Sequence, residues 1–100
     1  MDKLINEIEE IIQRISEENP DALMFREPDF YNAIIGYYYN EKDLPVLVYS
    51  YDKMVECLAK EYTDSENPYV DAIEFIDYNT IRTLPYMSSN GRPIIIYEKM

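Results

Sequence analysis

The spacing of apolar residues changes period at Ser50, and this change organises the predicted fold. Before Ser50, the run Val46-Leu47-Val48-Tyr49 behind Pro45 is typical of a buried strand. After it, apolar side chains recur at intervals of three and four, which predicts an amphipathic helix: Tyr51, Met54, Val55, Leu58 and Tyr62. Ser50 or Asp52 provides an oxygen for the first free N–H groups of this helix, and Asp52 suits the positive end of its dipole. A buried strand therefore runs directly into a helix.

Another amphipathic helix is predicted at the start of the chain, from about Asp2 to Glu17. Its apolar stripe is rich in isoleucine: Leu4, Ile5, Ile8, Ile11, Ile12 and Ile15. The opposite face is charged: Glu7, Glu10, Arg14, Glu17 and Glu18. Asn19-Pro20 ends the helix, because the residue before a proline is pushed out of helical geometry. The stripe predicts packing on the domain's own sheet, with a groove on a partner protein as the alternative.

A β-hairpin is predicted in the middle of the chain. Residues 32–39 are rich in β-branched and aromatic residues, as strands are, and a polar turn of four or five residues separates them from the strand that begins at Pro45. Residues 21–31 carry no clear period and are expected to form irregular chain or a short helical turn. The two strands of the hairpin are therefore antiparallel neighbours.

The last third of the chain predicts one more helix and one more strand. Asn67-Pro68 has the pattern of an N-cap followed by proline in the first turn, and the helix is expected to run to about Asn79. Asn79 is expected to cap that end in a left-handed conformation, or to hold the next segment through its amide. Residues 80–86 are predicted to be extended, and a turn ending at Gly91 leads into a final strand over residues 93–98.

These elements predict one compact α+β domain over residues 1–100. The expected order is α-β-β-α-α-β, with a small, mainly antiparallel sheet of about three strands and helices packed on one face. Residues 1–18 form the N-terminal helix, and residues 32–98 form the core. A chain of 100 residues is near the commonest domain size.

The charge of the chain narrows the range of partners. Twenty acidic residues against nine basic ones give a formal net charge of −11, with a pI near 4.2. Direct binding to nucleic acid or to an anionic membrane is disfavoured, because both require basic side chains. An excess of carboxylates favours solubility alone or recognition of a protein with a basic surface, and the sequence leaves both interpretations open.

The residue types present give little support to an enzyme. The chain has no histidine, which removes the usual nucleophile–base pairs and most zinc sites. Its single cysteine, Cys57, is expected to be partly buried and inert. Two glycines cannot build a glycine-rich phosphate loop. We therefore predict no catalytic residues, no metal site and no cofactor. The start of the chain resembles neither a signal peptide nor a membrane anchor, which predicts a cytoplasmic protein.

Tyrosine and carboxylate residues are the candidate binding groups. The chain has eleven tyrosines, and the Tyr37-Tyr38-Tyr39 run places at least one ring outside the core if it forms a strand. Tyrosine is enriched at protein interfaces, although strands also favour it. The predicted interface residues are two tyrosines and three acids of the last helix: Tyr37, Tyr39, Asp71, Glu74 and Asp77. Structural roles are predicted for Ser50, Asp52, Asn79 and Gly91.

Three motifs follow one another over residues 32–97: a proline-led strand ending in Tyr-Asp, an acidic helix closing on an aromatic-Asn pair, and a proline-led final strand. They are PVLVYSYDK at residues 45–53, DAIEFIDYN at 71–79 and RPIII at 92–96. In these motifs the chain resembles a family of small uncharacterised proteins common in phages and other mobile elements. It departs from that family at Ser50, usually aspartate, at Arg92, usually threonine, and at residues 84–86, usually a glycine-rich turn.

The resemblance implies a cellular context but no activity. It places the protein in a mobile element of a bacterial host, where small acidic proteins are often inhibitors of host defence systems, anti-CRISPR proteins among them. The first hypothesis is therefore a non-enzymatic inhibitor that binds a basic, nucleic-acid-handling or defence protein of the host. The second is a structural or regulatory protein that self-associates through apolar and tyrosine surface, and the third is a metal-dependent enzyme that uses its carboxylates.

Overall fold

A computed structural model describes the backbone of residues 2–98 and the side chains of residues 7–98. The predicted order of helices and strands is confirmed: α1 Asp2–Glu18, β1 Ile34–Tyr39, β2 Pro45–Ser50, α2 Tyr51–Ala59, α3 Pro68–Phe75 and β3 Ile94–Ile96. Met1, Lys99 and Met100, and the side chains of Leu4 and Ile5 in the predicted stripe, lie outside the described residues. The protein is a small α+β fold.

The three strands form one mixed sheet in the order β1-β2-β3. β1 and β2 pair antiparallel as the predicted hairpin, with Tyr37 opposite Leu47 and Tyr39 opposite Pro45. β3 pairs with β2 in parallel, with Tyr49 opposite Ile95. The longer pairing is antiparallel, and β2 is the central strand with a neighbour on each side.

One face of the sheet carries the core. Because side chains alternate along a strand, Leu47, Tyr49 and Ile95 share a face with Tyr37 and Tyr39. Leu47 and Tyr49 belong to a hydrophobic cluster that also contains α1 and α2 residues: Ile8, Ile15, Met54, Val55 and Leu58. The helices α1 and α2 therefore cover the same face, as the isoleucine stripe of α1 and the period of α2 predict.

The opposite face of the sheet is partly open. It carries residues from all three strands: Gly36, Tyr38, Val48, Ile94 and Ile96. Tyr38 is 62 % exposed and Ile96 38 %, and open space lies where a Cβ of Gly36 would point. Val46 shares this side but is buried. We call Gly36, Tyr38, Val48, Ile94 and Ile96 the open face; none of these five residues carries a charge.

The irregular segment between α1 and β1 seals the core beneath the sheet. Phe25 and Phe30 are buried there, with ring centroids 6.0 Å apart. The Phe25 N–H donates to the hydroxyl of Tyr49 at 3.2 Å, and the two rings lie 4.8 Å apart. Burial raises the pKa of Tyr49 to about 12. Tyr49 therefore remains neutral and joins this segment to the central strand.

Asn19 joins three elements at the end of α1. Its side chain is buried, and Nδ2 donates both to the Pro45 carbonyl at 3.0 Å and to the Asn90 carbonyl at 2.9 Å. Its Oδ1 accepts the Asp21 N–H at 3.1 Å. The end of α1 is thereby fixed to the start of β2 and to the turn before β3. The sequence predicts Asn19 only as the end of a helix.

Two structural predictions on loops and caps correspond to observed geometry. Ser50 is buried and is the N-cap of α2, where Oγ accepts the Lys53 N–H at 3.3 Å, and Asp52 lies in the first turn. Gly91 is buried in the turn before β3, and a Cβ there would overlap the backbone of Asp21. Gly91 therefore permits the close approach of two chain segments, and its carbonyl accepts the Leu23 N–H at 2.9 Å.

Helix ends differ from the sequence prediction. α2 ends at Ala59 instead of Tyr62, because the N–H groups of Glu61 and Tyr62 bond three residues back, as in a tight closing turn. Asn67 precedes α3 as predicted, but its side chain makes no cap hydrogen bond. In place of a cap, Ser65 donates to Asp71 in the first turn of α3.

The segment after α3 stays helical, so the prediction of an extended piece at residues 80–86 is wrong. A π-helical turn spans Ile76–Thr80 and a 3-10 helix spans Ile81–Tyr86. Asn79 lies inside the π-helical turn, has no left-handed backbone, and donates from its amide to the Phe75 carbonyl at 3.1 Å. Thr80 and Ile81 are β-branched and favour a strand, and Pro85 normally ends a helix. The chain stays helical in spite of these local preferences.

We expect Asn19→Ala to lower the free energy of unfolding by about 2–4 kcal/mol, because the buried Pro45 carbonyl loses its Asn19 donor and the bond from Asn19 to the Asn90 carbonyl is lost as well. Urea denaturation measures this difference. Asn32→Ala is the control, because the Asn32 side chain is exposed and its loss is expected to change stability by less than about 0.5 kcal/mol. Equal, small effects of the two changes would contradict the role given to Asn19.

Candidate protein-binding surfaces

A groove between α1 and β1 collects acidic and tyrosine side chains. It has a volume of about 580 Å³ and is lined by Glu7, Glu10, Ile11, Arg14 and Tyr37. Glu7, Glu10, Arg14 and Glu18 follow one another at intervals of three and four, so they form one row along α1. We call this row, together with Tyr37 and Tyr39, the α1–β1 surface.

Two hydrogen bonds attach the row to the strand. Arg14 Nη1 donates to the Tyr37 hydroxyl at 3.1 Å, and the Tyr39 hydroxyl donates to Glu18 Oε1 at 2.7 Å. The two rings lie edge to face, with centroids 6.0 Å apart. The hydrogen bond to Glu18 raises the pKa of Tyr39, since the carboxylate disfavours a phenolate beside it. Both rings therefore have a fixed orientation.

The rings remain accessible although their hydroxyls are bonded. Tyr37 is 36 % exposed and Tyr39 43 %. Glu7, Glu10 and Glu18 are exposed as well. The surface thus offers three carboxylates against one guanidinium group, beside two aromatic rings. Carboxylates attract lysine and arginine, and a tyrosine face adds a cation–π contact.

Asp71, Glu74 and Asp77, the three acids predicted as interface residues, are not part of the α1–β1 surface. Asp71 accepts from the Ser65 hydroxyl, and Asp77 accepts from the Tyr51 hydroxyl at 2.9 Å. Glu74 is exposed. The ring of Tyr51 also stacks on Tyr97, with centroids 4.7 Å apart. Asp71 and Asp77 therefore stabilise local structure around α3, while the structure joins Tyr37 and Tyr39 to α1.

The acids that accompany the tyrosines are therefore on α1, and the sequence alone does not select them. Their signal is present in the sequence, because Glu7, Glu10, Arg14 and Glu18 belong to the charged face of the predicted helix. What the sequence lacks is the position of that face relative to β1. The predicted grouping of the two tyrosines with Asp71, Glu74 and Asp77 has no support in the described contacts.

A cleft of about 590 Å³ lies elsewhere, between the segment before β1 and the end of α2. Cys57, Arg26, Asp29, Glu61 and Tyr62 are among its lining residues. Cys57 is half-buried, and burial raises the pKa of its thiol, which lowers the fraction of reactive thiolate at neutral pH.

Two further features of the described residues bear on function. Among them, no group of three or more histidine, cysteine, aspartate or glutamate side chains is placed to hold a metal ion. Within residues 2–98, every helix is too short or too polar to cross a membrane.

Comparison with protein-family models, with curated proteins and with solved structures finds no match for the chain. The resemblance to mobile-element proteins therefore stays a prediction from the quoted motifs. The assignment of a function depends on the surfaces described above.

We expect Glu18→Gln to lower the pKa of Tyr39, because a neutral amide no longer opposes the negative phenolate. An NMR titration of tyrosine labelled with ¹³C at Cζ measures that pKa. Glu17→Gln is the matched control, since Glu17 is exposed one position away and contacts Gln13. The geometry of the surface would be refuted by an identical Tyr39 midpoint in both variants and in the unchanged protein.

Proposed function

We propose that this protein is a non-enzymatic acidic binding module that docks on a basic surface of a partner protein. The observation that carries the proposal is the α1–β1 surface: Glu7, Glu10 and the Tyr37 ring line one groove, and the hydrogen-bonded pair of Glu18 and Tyr39 extends the same surface. Such a combination suits lysine and arginine side chains, whose charge pairs with carboxylates and whose apolar stems pack on rings.

The net charge of the chain supports the same function through the rate of association. A charge of −11 attracts a basic partner over a distance and repels acidic proteins and nucleic acid. Because carboxylates at the rim of an interface act mainly on the rate and on specificity, the rings are expected to supply most of the buried contact. Asp71, Glu74 and Asp77 remain a second acidic contact in this proposal.

A narrower form of the proposal is a phage-encoded inhibitor in the cytoplasm of a bacterial host. Its support is the sequence resemblance together with the chemistry of the surface. Proteins that handle nucleic acid carry basic patches that contact phosphates. An acidic, tyrosine-bearing protein competes for such patches.

A second candidate function is self-association, and the open face favours it. Gly36, Tyr38, Val48, Ile94 and Ile96 form a mainly apolar surface, bordered by Glu41, Lys42 and Arg92 beside Tyr38 and Ile94. Exposed apolar patches on soluble domains often mark interfaces. Two copies packed through this face keep the α1 carboxylates on their outer sides. Sedimentation velocity over a wide concentration range separates the two candidates, because only self-association predicts a dimer without a foreign partner.

For the main proposal, we expect a pull-down from bacterial lysate to retain a basic protein at about 50 mM salt and to lose it at about 500 mM, because salt screens exposed charges. The triple variant Glu7→Gln, Glu10→Gln, Glu18→Gln is expected to lower retention at least about tenfold, as expected for loss of three charge contacts.

Two further triple variants make the same change in net charge. Glu56→Gln, Asp64→Asn and Glu66→Gln change exposed acids outside both proposed contacts and are the control. Asp71→Asn, Glu74→Gln and Asp77→Asn test the second acidic contact. A specific α1–β1 surface predicts the largest loss for the variant of Glu7, Glu10 and Glu18. Equal losses in all three would show that only net charge matters, and retention that is insensitive to salt would contradict the electrostatic mechanism.

A further inference from the structure

The outer edge of β1 has unpaired backbone groups whose positions follow from the hairpin. The Asn40 N–H donates to the Leu44 carbonyl at 2.8 Å, which makes residues 40 and 44 a hydrogen-bonded pair. Such pairs alternate with non-bonded pairs along an antiparallel ladder. Tyr38 opposite Val46 is therefore bonded to β2, whereas the N–H and C=O groups of Tyr37 and Tyr39 point away from it. Within the described residues, β1 pairs with β2 alone.

Edge strands of this kind usually carry protection against further pairing. Charged residues, prolines and bulges are the common devices. β1 has the sequence IIGYYY, with no charge and no proline. A bulge lies between Ile34 and Gly36, at the beginning of the strand. The half of β1 from Tyr37 to Tyr39 is therefore free to accept another strand.

The acidic row of α1 runs beside this same half of β1. Arg14 contacts Tyr37 and Glu18 contacts Tyr39, so the two elements advance in the same direction. Four helical residues rise about 6 Å and two strand residues about 6.6 Å. The spacing of side chains along α1 therefore matches the spacing along β1 over this distance. Glu10, one turn before Arg14, continues the row and lines the groove with Tyr37.

We propose that β1 accepts an extended, lysine- or arginine-containing segment of the partner as a fourth strand; this proposal depends on the proposed function and specifies its mode of binding. The backbone of the added segment pairs with Tyr37 and Tyr39. Its alternate side chains point to the α1 side, where Glu10 and Glu18 select basic residues. The side chains between them point to the open face beside Tyr38, which favours apolar residues there.

Charge favours a basic segment of a partner, and not a second copy of the chain, as the strand that pairs with β1. Antiparallel pairing of two β1 edges about a two-fold axis keeps both sheets facing the same way. The two α1 rows then lie on one side of the joined sheet and bring like charges together, and each copy carries a net charge of −11. A basic segment neutralises the same row.

The test uses a nine-residue peptide that alternates lysine with valine. The control is the same peptide with every backbone nitrogen methylated, which keeps the charge and removes all backbone donors. Chemical-shift titration of the ¹⁵N-labelled protein at low salt measures both affinities. We expect the methylated peptide to bind at least tenfold more weakly, and Glu10→Gln with Glu18→Gln to weaken the unmethylated peptide several-fold.

Equal affinities of the two peptides, lost together in the glutamine variant, would overturn the fourth-strand mode and leave the proposed acidic binding function intact. No binding of either peptide would also overturn the inference. The pull-down with the triple variants then decides the proposed function on separate grounds.

Discussion

The buried amide of Asn19 is the interaction on which the arrangement of α1 over the sheet depends. It bonds the start of β2 and the turn before β3 through one side chain, at the point where the chain leaves α1. A buried amide without these partners costs stability, so the helix end has one favourable position. Because Asn19 fixes the end of α1, it also fixes where the row of charged residues lies beside β1. Arg14 and Glu18 contact β1 from that position.

The two faces of the small sheet differ in the side chains that they carry. The face under α1 and α2 holds the core, and its outer margin along β1 is acidic and aromatic. The other face is partly open: Tyr38 and Ile96 are exposed there, whereas Val46 and Ser50 are buried. Between them lies the edge of β1, whose outward backbone groups pair with no strand of the described part of the chain. A chain of this size has one core. The tyrosines that lie outside this core are exposed and are available for contacts with other molecules.

Much of the fold follows from local pattern. The change of period at Ser50 predicts β2 and α2, and the polar turn before Pro45 predicts the hairpin, because both signals act over a few residues. The helical run from α3 to Tyr86 is different. Its π-helical and 3-10 turns depend on packing that overrides the strand propensity of Thr80 and Ile81 and the break expected at Pro85.

The candidate site is only half predictable for a related reason. Alternation along a strand predicts that Tyr37 and Tyr39 share a side, and the helical period predicts a charged face on α1. Which charges meet the tyrosines depends on how the helix lies across the sheet, and that is set by long-range contacts such as those of Asn19. The sequence offers the acids of residues 71–77 equally, but Asp71 is bonded to Ser65 and Asp77 to Tyr51.

Amide hydrogen exchange in the free protein tests most directly whether the edge of β1 beside the acidic row is bare. The amides of Tyr37 and Tyr39 are expected to exchange rapidly, because they point away from β2, while the amide of Tyr38 exchanges slowly through its bond to Val46. This alternation would confirm an open edge next to Glu10 and Glu18. Slow exchange at all three tyrosines would contradict it, since another part of the chain, or a second copy, would then cover the strand.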